Sequence, residues 1–142
     1  MEMTATTTEN EQLIRDYIHH VINNKQLHRL GEFYTDDCKI RTTTGRQAHG
    51  LREYTLALQQ VFTVFPDLYV TVNEVVVSGD NASFRITAQG TQHSEYESIQ
   101  PSQPARPFCF EEAFFVRFKD EKITTVWILM DTHTLLQQLR TS

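Results

Sequence analysis

Apolar and polar positions follow a helical period in the first half of the chain and a strand period in the second. After a polar stretch to about Thr7, read as a flexible tail, Thr8-Glu-Asn-Glu11 fits a capping box, with Glu three residues after a Thr cap. Leu13, Ile14, Tyr17, Ile18, Val21 and Ile22 then form one stripe of a helix reaching Asn24. A short second helix is predicted over 26–34 and a short strand over 38–43, closed by a turn at Gly45. A third helix begins near Leu51, carries Tyr54, Leu58, Val61, Phe62 and Phe65 at helical spacing, and ends before Pro66, which disfavours helix at the residue it follows.

Beyond Pro66 the pattern becomes alternating. Segments 68–77 and 82–93 flank Ser78-Gly-Asp-Asn81, and 108–118 and 123–131 flank Lys119-Asp-Glu-Lys122, so two hairpins are predicted. The stretch between them, 95–107, contains Pro101, Pro104 and Pro107 and reads as a loop, while 132–139 closes as a short helix. Helices followed by antiparallel strands give an α+β fold, a single domain over 8–142.

The turns set the registers. Pairing Phe118 with Ile123 places Trp127 opposite Phe114, Leu129 opposite Glu112 and Asp131 opposite Phe110. One face of the last strand then carries Ile123, Thr125, Trp127, Leu129 and Asp131, which puts a carboxylate at the end of an apolar stripe, diagonal to Glu112. In the first hairpin Glu74 falls opposite Arg85, and Val75, Phe84, Ile86, Ala88 and Gln92 share the inward face. Val70, Val72 and Val76 are assigned to the outer one.

At 142 residues the chain can bury roughly 70% of its unfolded surface in one core. Nine Phe and five Tyr mean that the core is large or lines a cavity. A net charge of −5 without a basic stripe argues against nucleic acid or an anionic membrane surface as partner. No apolar run approaches the ~20 residues that span a bilayer, and the N-terminus is no signal peptide. Cys38 and Cys109 show no pairing pattern, and the six His lack ligand spacing, so a reduced cytoplasmic protein without a protein-held metal is expected.

Several pieces, in order, carry a resemblance: Phe65-Pro-Asp-Leu68 before a strand, Ser78-Gly-Asp80 at a turn, Phe84-Arg-Ile-Thr87, Gly90-Thr91, Arg117-Phe118-Lys-Asp120, and Trp127-x-x-x-Asp131 followed by Leu-Leu-Gln-Gln-Leu139. With these the chain resembles the SnoaL-like polyketide cyclases of the NTF2-like superfamily. The resemblance implies helices packed on a curved sheet as a cone, an apolar pocket, a homodimer and cofactor-independent ring closure by aldol chemistry. It also implies that Asp131 is the general acid/base. The chain departs from the pattern at Gln92 and Thr125, where the family commonly has His and an acid or His. Thr87 stands where related epoxide hydrolases carry the Asp of an Arg-x-Asp pair, which disfavours that third activity.

Two readings compete for Asp131: a proton-transfer group whose pKa is raised by an apolar pocket, or the N-cap of the last helix. Glu112 is its candidate partner, because neighbouring carboxylates push one pKa up. Trp127, Gln92, His49, Tyr17, Phe33, Tyr34, Tyr54, Phe62, Phe110 and Phe114 are candidates to line the substrate pocket, each with a plain core or surface role as the alternative. The expected ligand is a small apolar, oxygenated molecule, and the expected activity is cyclase- or isomerase-like. A non-catalytic ligand-binding or protein-interaction module on the same fold is the other class.

Overall fold

A computed structural model describes residues 2–140, with side chains from residue 7 onward. Helix α1 (Glu2–Tyr17) continues into a π-helical segment, Ile18–Asn23, and a 3-10 turn, Leu27–Arg29, leads into the short α2 (Leu30–Phe33). Strand β1 (Tyr34–Thr42), strand β2 (Gln47–His49) and helix α3 (Gly50–Val64) follow. The remainder is β3 (Tyr69–Ser78), β4 (Asn81–Thr91), β5 (Pro107–Lys119), β6 (Lys122–Met130) and α4 (Thr132–Arg140). Thr8 therefore lies inside α1 rather than at its start, and Met1, part of the expected tail, lies outside the described residues.

The six strands form one sheet in the order β2-β1-β6-β5-β4-β3, antiparallel except for the parallel pair β1 and β6. The expected α+β class is the observed one. The apolar stripe of α1 and the π-helical segment, with Ile14, Tyr17, Ile18, Val21 and Ile22, packs into the same core as Tyr54 and Leu58 of α3. The inward sheet face supplies Ile40, Val70, Phe84, Ile86, Phe110, Phe114, Val126 and Ile128 to that core. Phe84 and Phe114 stack across β4 and β5 with centroids 4.6 Å apart, anchoring its centre.

Two bulges set which side chains point inward. In the first hairpin Glu74 pairs with Arg85 as the turn predicts, but Val72 pairs with Ile86, so Asn73 is an extra residue whose side-chain amide donates to Thr87 Oγ1 at 2.7 Å. The extra residue turns Val70 and Val72 inward, correcting their assignment to the outer face, whereas Val76 stays outside. Arg85 forms its ion pair with Glu111 rather than Glu74, at 3.0 Å.

The second bulge lies in β6. Phe118 pairs with Ile123, as expected, but Arg117 pairs with Thr125, leaving Thr124 as the extra residue; its hydroxyl accepts from Thr35 Oγ1 at 3.0 Å. Every side chain beyond Thr124 changes face relative to the bulge-free register. Phe115 and not Phe114 lies opposite Trp127, Ala113 and not Glu112 opposite Leu129. Val126, Ile128 and Met130 take the inward positions, while Trp127 and Leu129 are 37% and 43% exposed.

Candidate active site

Strand alternation in β5 turns Phe108, Phe110, Phe114, Val116 and Phe118 inward, and Glu112 falls in the middle of that series. Its cross-strand neighbours are Ile86 on β4 and Met130 on β6, both apolar, and Phe110 and Phe114 flank it along its own face. A carboxylate in such a frame loses hydration without gaining a compensating charge. Burial accordingly pushes the Glu112 carboxyl up to about 7 from an ordinary 4.5, and among the described residues no hydrogen bond to it offsets the effect. The residue nevertheless keeps part of its surface accessible, whereas Ile86, Phe110 and Phe114 are buried. Its side chain faces inward, opposite the half-buried Met130.

Three tyrosines from three elements meet in the same interior. Tyr17 ends α1, Tyr34 begins β1 and Tyr54 comes from the second turn of α3. The Tyr17 and Tyr54 hydroxyls are 2.7 Å apart in a buried hydrogen bond. The Tyr34 ring packs 4.9 Å from Tyr17 and 5.2 Å from Tyr54. Burial raises all three phenols, most sharply Tyr17 and Tyr34, with Tyr54 pushed up to about 12. Burial also raises Tyr96, and the negative charge of Glu112 adds to the upward push on Tyr17, Tyr54 and Tyr96, so all three phenols lie in its field.

Asp131 is elsewhere. It sits at the exposed end of β6, its backbone N–H donating to Glu111 O at 3.1 Å. Its carboxylate caps α4, accepting from Thr134 Oγ1 at 2.6 Å and from Thr134 N at 3.2 Å, and the hydroxyl bond above all holds its pKa below the usual carboxylate value. The expected position diagonal to Glu112 on an apolar face is corrected by the Thr124 bulge, which displaces the strand end by one residue.

The remaining candidates divide. Tyr17, Phe33, Tyr34, Tyr54, Phe110 and Phe114 are brought together in the core, with Phe33 6.3 Å from Tyr17. Gln92 is buried on the inward face, but its amide nitrogen donates to Ser94 O at 2.8 Å and Ile99 O at 2.7 Å, so it ties down the loop after β4. Phe62 is half-buried under Lys25 Nζ, 5.1 Å from its centroid. His49 is exposed at the entrance to α3, its backbone N–H donating to Glu53 at 2.8 Å, and Trp127 lies on the outer sheet face with Arg41 4.5 Å over its ring, lining an open cavity there with Phe115; both are corrected as residues of an inward pocket. Tyr17, Tyr34 and Tyr54 are each among the expected pocket residues, but their meeting was not foreseen, and the bulge hid the inward position of Met130. Among the described residues no group of three or more His, Cys, Asp or Glu is arranged to hold a metal ion, and no helix is long and apolar enough to cross a membrane.

A family model for SnoaL-like polyketide cyclases matches residues 12–139. The chain belongs to that family. Among curated proteins none matches this chain. Among solved structures, a protein of Jannaschia sp. CCS1 assigned as a SnoaL-like polyketide cyclase superposes with a TM-score of 0.86 at 16% identity, over 96% of this chain and 94% of that one. IdmH of Streptomyces antibioticus, assigned as a polyketide cyclase, is 26% identical with a TM-score of 0.80, over 93% and 99%. An epoxide hydrolase of M. tuberculosis, described as LEH-like, shares the fold at 14% identity and a TM-score of 0.74, over 94% and 90%. On β4 of this SnoaL-like chain Arg85 is bound to Glu111 and Thr87 to Asn73, both on the outer face, away from Glu112.

Proposed function

We propose that this SnoaL-like chain is a cofactor-independent enzyme of the cyclase or isomerase type. It moves a proton on an apolar, oxygenated, polyketide-like or polycyclic substrate, with Glu112 as general acid/base. The carrying observation is an inward carboxyl framed by Ile86, Met130, Phe110 and Phe114 whose burial raises its pKa to about 7. A group that titrates near working pH is populated in both proton states, so it can take a proton from carbon and return it. The apolar frame that raises the pKa also supplies the contact surface for an apolar substrate and excludes water.

The same reading includes a homodimer formed through the outer sheet face. Val76, Phe115, Trp127 and Leu129 are exposed there at 37–56%, more apolar surface on one face than scattered single residues leave. Cys38 and Cys109 are unpaired, which supports the reducing, cytoplasmic setting expected from the sequence.

The testing experiment is a screen of polyketide-like ketones with wild type, Glu112→Gln and Asp131→Asn. Glu112→Gln is expected to lower kcat on any accepted substrate by about 10²-fold or more, while Asp131→Asn keeps it within a few-fold. Equal turnover by wild type and Glu112→Gln removes Glu112 from the chemistry.

A further inference from the structure

The outer face of the sheet carries a hollow of about 590 Å³, a volume in the range that holds a small organic ligand. Strand register builds it from two neighbouring rungs. On one, Arg41, Trp127, Phe115, Ser83 and Val76 stand in line across β1, β6, β5, β4 and β3. Two residues along each strand, and so on the same face, Lys39, Thr125, Arg117, Asn81 and Ser78 form the other. One half of the hollow is therefore mostly apolar and aromatic, the other polar and cationic. No Asp or Glu lines it. Among the described residues Lys39, Arg41 and Arg117 form no ion pair and donate no side-chain hydrogen bond, although the chain carries a net charge of −5. Lys39 and Arg117 flank Thr125 from the strands on either side, roughly 10 Å apart at the backbone. Arg41 lies 4.5 Å from the centroid of the Trp127 ring, which orients its guanidinium and leaves the N–H groups without acceptors.

We propose that this hollow is a binding site for a flat aromatic carboxylate, separate from the interior that holds Glu112. The ring system lies against Trp127, Phe115 and Val76, and the carboxylate is directed to Lys39, Arg117 and Arg41, with the Thr125 hydroxyl between them as a further donor. Three unpaired cations this close repel one another, and an anion seated among them is attracted by all three. A guanidinium stacked on an aromatic ring keeps its in-plane donors free, which is the geometry that grips a carboxylate with two parallel bonds. Both halves of the hollow are needed to define the ligand. A neutral aromatic molecule leaves the cations unpaired, and a small anion without a ring leaves Trp127 and Phe115 in water. Glu112 points to the opposite face of the sheet, so the site does not depend on its role in proton transfer. In the isologous dimer proposed above, two such sets of cations come to one interface, and an anion in each hollow offsets their repulsion.

Trp127 is the single tryptophan of the chain, so its indole N–H gives one resonance that reports on the hollow directly. The full chain is titrated with 2-naphthoate by ¹H–¹⁵N NMR, with light scattering on the same samples. A saturable shift of the indole resonance is expected, with a Kd on the order of 100 µM for a ligand of this size. The alcohol 2-naphthalenemethanol, which keeps the rings and lacks the charge, is expected to bind about tenfold more weakly. Arg41→Gln and Arg117→Gln, checked for folding by circular dichroism, are each expected to weaken naphthoate about fivefold or more and to leave the alcohol unchanged. Glu112→Gln is expected to bind naphthoate as wild type does. A monomeric wild type that behaves in this way contradicts the dimer and leaves the site standing. An indole resonance unmoved at millimolar naphthoate, equal binding of acid and alcohol, or unchanged affinity in both arginine variants overturns the proposal. Binding lost in Glu112→Gln but kept in the arginine variants places naphthoate in the interior, and saturation only as the dimer dissociates makes a second copy the occupant; either result also overturns it.

Discussion

Glu112 lies directly opposite Met130 across the β5–β6 ladder and opposite Ile86 across the β4–β5 ladder, which fixes its side chain on the inward face between two apolar neighbours. That pairing determines both its chemistry and its cost to the fold. The unfolded chain ionises this carboxyl at the ordinary value near 4.5, while the folded chain holds the proton up to about 7. Between these values the folded chain binds more protons, so stability falls as pH rises.

The stability that protonated Glu112 contributes is therefore complete below about 4.5 and lost as pH rises through about 7. Glu112→Gln removes this dependence. Urea unfolding at pH 8 is expected to show the variant more stable than wild type by on the order of 3 kcal/mol or less, at about 1.4 kcal/mol per pKa unit and reduced by the accessible part of the side chain. The two proteins converge at pH 4. A wild type equally stable relative to the variant at both pH values contradicts the burial of this charge.

Asp131 belongs to a different part of the balance. Its carboxylate is bound to Thr134, which lowers its pKa, so its contribution is present above the ordinary carboxylate value and lost as pH falls through the lowered one. Asp131→Ala is expected to lower Tm at pH 7 and to narrow its difference from wild type as the pH falls below the ordinary carboxylate value. Catalytic turnover stays within a few-fold of wild type. A collapse of kcat with unchanged Tm would return Asp131 to the chemistry.

The outer sheet face makes a prediction independent of the site. Trp127, packed under Arg41 and opposite Phe115, sits at the centre of the exposed apolar surface. Light scattering on wild type is expected to give twice the chain mass at micromolar concentration, and Trp127→Glu is expected to halve it. A monomeric wild type contradicts the proposed dimer.

Much of this was legible in the chain, and the remainder has a definite physical reason. Helical and alternating periods located α3, the four long strands from β3 to β6 and α4, because burial on one face leaves a repeating trace in sequence. The turn at Ser78–Asn81 gave the correct pairing of Glu74 with Arg85. Registers failed only beyond Asn73 and Thr124. A bulge costs one polar residue among others and has no period, yet it reverses every position after it. The reversal at Thr124 carried Trp127 outwards and removed the expected neighbourhood of Asp131 and Glu112. Glu112 was named only as the partner of Asp131, a pairing the bulge removes; its own orientation follows from β5, which alternates without interruption from Phe108 to Phe118. The tyrosine cluster was not legible, since Tyr17, Tyr34 and Tyr54 converge only through the packing of α1, β1 and α3.

The most direct test of the assignment is a pH titration of the Glu112 side-chain carboxyl by ¹³C NMR on glutamate-labelled protein, with the resonance identified by its loss in Glu112→Gln. A midpoint near 7 is predicted, well above the ordinary 4.5. A midpoint near 4.5 would show a solvated carboxylate and contradict a role for Glu112 in proton transfer at neutral pH.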